Sequence, residues 1–90
     1  QAIRWGGETP DKHTGMAEIY FRQEKWDLAE KEYHHVLELD SSNFSAHYAL
    51  GSIFEILGEN KRAIDELLKA HKLDNDDERT RQKLERLLIS

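Results

Sequence analysis

Ninety residues, 38% hydrophobic and 34% charged with a formal net charge of −5, describe one small folded domain and not a disordered chain. The acidic balance speaks against a nucleic-acid surface, where affinity comes from Lys and Arg, and no apolar run reaches the roughly 20 residues that cross a bilayer. The absence of cysteine excludes disulfides, thiolate nucleophiles and Cys-based zinc sites.

Residues 1–9 lack a helical apolar rhythm and carry Gly6-Gly7, so they are expected to form an arm or linker, with Ile3 and Trp5 apolar enough to dock. Thr9-Pro10-Asp11 has the composition of a helix start, although Gly15 weakens the first turns and predicts a start nearer Thr14. After a break at Glu24-Lys25, a second helix carries Ala29, Tyr33, Val36, Leu37 and Leu39 inward. Ser41-Ser42-Asn43 connects to a third helix, where His47, Leu50, Gly51, Phe54 and Leu57 form a stripe that Gly58 ends. A fourth helix spans Asn60 to Leu73, with Ala63, Ile64, Leu67, Leu68 and Ala70 on its buried side. Asn75-Asp76-Asp77 then leads into a last helix, Glu78 to Leu88, that turns Leu84, Leu87 and Leu88 inward.

Shifting the chain by 34 residues lays like on like: Tyr20 on Phe54, Ala29 on Ala63, Tyr33 on Leu67, Val36 on Ala70, Leu39 on Leu73 and Asp40 on Asp74. Leu50-Gly51-x-x-Phe54 with Gly58, Ala63, Leu67 and Ala70, and more loosely Met16-Ala17-x-x-Tyr20 with Ala29, Tyr33 and Val36, resembles the tetratricopeptide repeat. Small residues let two helices approach, and large ones fill the gaps between them. His13 and His47 stand where the family has tryptophan, and Ser41 and Asn75 where it has its loop proline. The resemblance implies an all-α antiparallel helix-pair solenoid of about five helices. It has an arm at 1–9, repeat units at 10–43 and 44–77, and a capping helix at 78–90 that carries Glu85 where a small residue is usual.

For function, the resemblance implies a protein-interaction scaffold that takes a peptide or helix in a concave groove lined by the first helix of each unit. Carried over residue by residue, that groove would present Glu18, Phe21 and Arg22, then Tyr48, Ser52, Glu55 and Ile56, then Arg79, Gln82, Lys83 and Arg86. Phe21, Tyr48 and Ile56 would supply apolar contacts, and Arg79, Lys83 and Arg86 would draw an acidic segment or a terminal carboxylate. The bland alternative is a solvated face. The carboxylate clamp of the family's chaperone-binding members is incomplete here. Arg79 and Lys83 match its cations, but Thr14, Glu18 and Ala49 stand at its other three positions, and Glu18 would repel the ligand.

The remaining features favour ordinary structure over chemistry. His34, His35 and Glu38 supply no third ligand at a recognisable spacing, and His13 and His47 lie at packing positions. Asp74 to Glu78 lacks the glycine of a calcium loop, and Asn43-Phe44-Ser45 is only a three-residue sequon. Asp27 with Lys31, Arg62 with Glu66, Asp65 with Lys69 and Arg81 with Glu85 have the spacing of surface pairs. Phosphate loops, nucleophile elbows and paired acid–base motifs are missing, so the expectation is a non-enzyme with no cofactor, no nucleic acid and no membrane insertion. The rival role is self-assembly into a homodimer or a larger array, because two repeats make a thin stack. Beginning at Gln1, the chain reads as a fragment or processed product of a larger parent, with a cytoplasmic setting favoured.

Overall fold

The computed structural model describes residues 10–89, all five of whose regular elements are α-helices: α1 Pro10–Arg22, α2 Trp26–Leu39, α3 Phe44–Ile56, α4 Asn60–Leu73 and α5 Glu78–Ile89. The expected arm at 1–9, with Ile3 and Trp5, lies outside the described residues. Two compact units divide the chain, Gln1–Ser41 and Ser42–Ser90. No described helix is long and apolar enough to cross a membrane.

In the first unit α1 begins at Pro10 and not near Thr14. Proline is pre-set for the first helical position and Asp11 complements the helix dipole, which outweighs the weak propensity of Gly15. The helix ends in a tight reversal: Lys25 N–H reaches the Tyr20 carbonyl at 2.9 Å while Glu24 takes a left-handed φ of 60°. The second unit repeats this turn 34 residues later, with Glu59 N–H on the Phe54 carbonyl at 2.8 Å and Gly58 at φ 81°. Glycine adopts that conformation without a Cβ penalty, and Glu24 does not.

Ala17, Ala29 and Val36 are fully buried and Tyr33 nearly so. Burial, together with the Glu18 carboxylate, pushes the Tyr33 phenol up to about 12, so it stays neutral. Leu39, expected inward, is instead 45% exposed at the end of α2. In the second unit Leu50, Ile53, Phe54, Ala63, Leu67 and Ala70 are buried, whereas Leu57 and Leu68 remain more than 40% exposed. A Cβ on Gly51 would lie 2.6 Å from Leu67 Cγ and 3.4 Å from the Ala63 carbonyl oxygen, so α3 and α4 pack as closely as a missing side chain permits.

Asn43 caps α3 by accepting from Ala46 N–H at 2.9 Å, and Asp77 caps α5 by accepting from Thr80 N–H at 3.0 Å. The buried Thr80 hydroxyl also donates to Asp77, which keeps that end of α5 satisfied. Leu84 and Leu87 turn inward as expected, but Leu88 is 63% exposed and Ile89 83%. Where four-residue pairs were expected for Arg62, Lys69 and Arg81, three-residue ones stand: Arg62 reaches Glu59, Lys69 reaches Glu66 and Arg81 reaches Glu78.

Each unit also contains a histidine–carboxylate contact that spacing rules did not reveal. His13 Nδ1 meets Glu32 Oε1 at 2.5 Å, and His47 Nδ1 meets Glu66 Oε1 at 2.7 Å. In both pairs the partners are 19 residues apart, and the two side chains are 10% and 13% exposed. His13 further stacks on His35 at a centroid distance of 5.0 Å.

Gly51→Leu is expected to cost about 1–3 kcal/mol or more, because overpacking against Leu67 has no free space to absorb it. Glu24→Gly is expected to raise stability by about 0.5–1 kcal/mol through relief of the left-handed backbone. Urea unfolding followed by circular dichroism measures both, and a stabilised Gly51→Leu or a destabilised Glu24→Gly would contradict these packing and turn arguments.

Candidate functional site

Four expected site residues lie on α3 and four on α5, within the second unit. Tyr48, Glu55 and Ile56 recur along α3 at a spacing that keeps them to one side, and Arg79, Gln82, Lys83 and Arg86 do the same on α5. Tyr48 is half-buried and stacks on Phe44, with ring centroids 5.9 Å apart and planes inclined by 15°. Over the same ring lie Arg79, its guanidinium carbon 4.9 Å from the centroid, and Lys83, its Nζ at 5.8 Å.

The expected cations are engaged by carboxylates of their own unit. Lys83 Nζ donates to Glu55 Oε1 at 3.1 Å and Arg86 Nη2 donates to Glu55 Oε2 at 2.7 Å, so one carboxylate bridges both. Burial pushes the Glu55 carboxyl up, but the hydrogen bonds and charges of Arg86 and Lys83 outweigh it and hold the group below the usual carboxylate range. Arg79 donates to Asp77 at 3.0 Å, and that bond, with Thr80 N–H, holds Asp77 low as well. Both acids are therefore ionised at neutral pH, and the face carries three cations against two anions in a chain of net charge −5.

Ser52 lies on the same strip of α3, four residues from both Tyr48 and Ile56, and is only 9% exposed there. Helix α3 is buried through almost its whole middle, and on such a helix a small hydroxyl gives no pattern that marks it as outward. Ile56 is 53% exposed, and Gln82 and Arg86 also face solvent. In the first unit, Glu18 and Arg22 are exposed on α1, whereas Phe21 is half-buried with its ring set edge-on to Trp26 at 5.1 Å and 84°. Phe21 is thus committed to an aromatic pair that sequence reasoning, which left Trp26 aside, did not include.

The α2 histidines serve as surface partners: His34 lies 3.5 Å from Glu30, and His35 lies 3.4 Å from Glu38. With Asp27 and Lys31 they line an open depression of about 510 Å³. Among the described residues no three His, Asp or Glu side chains converge so as to hold a metal ion.

Two models of the repeat family match the sequence, TPR repeat over residues 17–58 and tetratricopeptide repeat over residues 44–77. A solved structure described as the first TPR of Spaghetti (RPAP3) bound to the HSP90 peptide SRMEEVD is similar with a TM-score of 0.85 at 22% identity, covering 91% of this chain and 68% of that one. No curated protein matches the sequence. With the family's helix pairs in both units and its repeat models spanning both, the chain belongs to the tetratricopeptide-repeat family.

Proposed function

We propose that this chain is a protein-interaction module whose α3–α5 face takes an acidic peptide segment of a partner protein. The observation that carries this reading is the arrangement around Tyr48. A half-buried aromatic ring is flanked by Arg79 and Lys83, with Arg86 farther along α5, and this gives an apolar platform edged by cations. Exposed Ile56 adds an apolar contact at the far end of α3, and Gln82 adds an amide between the cations. In the first unit Glu18, Phe21 and Arg22 are the matching candidates on α1. Support also comes from the similar structure, whose HSP90 peptide SRMEEVD combines carboxylates with apolar side chains.

Fluorescein-labelled SRMEEVD is the probe, because it holds both chemistries that the face would recognise. Saturable binding in an anisotropy titration is expected, with the amide counterpart SRMQQVN failing to bind. Lys83→Gln combined with Arg86→Gln should weaken binding about ten-fold, since a hydrogen bond to a charged group contributes about 1.5–3 kcal/mol before screening. Absence of saturable binding, or equal binding of SRMQQVN, would overturn the acidic-peptide reading.

Self-association is a second reading, favoured by the exposed Leu88 and Ile89 that end α5. It predicts a solution mass that rises with protein concentration in light scattering and returns to the monomer value in Leu88→Ser. A monomer at every concentration would remove it.

A further inference from the structure

We propose that Glu55 is a built-in competitor for the acidic ligand, a carboxylate of the chain itself that engages Lys83 and Arg86 and weakens the hold of a partner's carboxylate on them. The inference rests on the α3–α5 reading above and specifies how that site would be regulated. Its basis is geometric. Glu55 sends one oxygen to each cation, Oε1 to Lys83 at 3.1 Å and Oε2 to Arg86 at 2.7 Å, as a bridging ligand carboxylate would. It lies on α3 two turns beyond Tyr48, so the internal anion and the aromatic platform share one strip of the helix.

Competition follows from valence and solvation. Ammonium and guanidinium groups keep further donors, so Glu55 attenuates ligand binding without blocking it. An incoming carboxylate that shares the cations with Glu55 also meets an ionised like charge within a few ångströms, which costs affinity. Exposure differs along the cluster: Glu55 and Lys83 side chains are 21% and 22% exposed, whereas Arg86 is 61% exposed. Arg86 is therefore the cation that a ligand reaches first, and Lys83 becomes available once Glu55 swings away.

The test uses the full chain with labelled SRMEEVD and compares wild type, Glu55→Gln, and Glu55→Gln combined with Arg86→Gln at one fixed salt concentration. Glutamine keeps the size of the side chain and one hydrogen-bond acceptor, and circular dichroism verifies that each variant is folded. Glu55→Gln is expected to bind about five-fold tighter than wild type, the scale of one partly screened ion pair, and Arg86→Gln should erase most of that gain. Equal affinity of wild type and Glu55→Gln would overturn the competitor role while leaving the acidic-peptide site standing. Weaker binding by Glu55→Gln would overturn it too, because Glu55 would then be holding the cations in place for the ligand. Failure of both proteins to bind would overturn the peptide site itself.

Discussion

With 2.6 Å between a hypothetical Gly51 Cβ and Leu67 Cγ, the α3–α4 pair of the second unit depends on a side chain that is not there. Close approach brings Leu50, Phe54, Ala63 and Leu67 out of water together, and each buried large side chain contributes about 1.5–3 kcal/mol. The first unit meets the same requirement with Ala17, also fully buried, at the position 34 residues before Gly51. The capping and turn contacts refine a geometry that these small residues make possible. The α5 helix depends on it in turn, because Glu55 and Tyr48, which engage Lys83, Arg86 and Arg79, are positioned by α3.

Features that repeat every 34 residues, or that follow from local chemistry, were legible in the sequence. The helix pairs, the glycine turn at Gly58, the caps at Asn43 and Asp77 and the inward Leu84 and Leu87 all belong to that class. Leu39, Leu68 and Leu88 were misread because an apolar residue at helical spacing also occurs on the flank of a stripe, where exposure costs little. The left-handed Glu24 was within reach: the same shift that aligned the repeats places it on Gly58.

The nearness of Tyr48 to Arg79 and Lys83 agrees with the candidate face read from the sequence, whereas the pairing within that face was not legible. The family resemblance named Tyr48, Arg79, Lys83 and Arg86 as candidates, but the sequence holds no rule that joins Glu55 to cations 28 and 31 residues away. For the same reason the three cations were expected as open charges, whereas each is held by a carboxylate. Ser52 is covered because α3 is buried through almost its whole middle, where helical spacing sets direction and not exposure.

His13 with Glu32 and His47 with Glu66 have a consequence for how this sequence can drift. Loss of either partner takes a hydrogen bond from a side chain with only about a tenth of its surface in water, which costs about 1–3 kcal/mol. An exchange of both partners for apolar groups of similar shape would carry little such penalty. Each pair is therefore an epistatic couple: the paired state and an apolar replacement are both habitable, and the one-step intermediates between them are less stable than either. That valley stands twice in the chain, so the two units are each tied to their histidine by a partner that no neighbouring residue in sequence reveals.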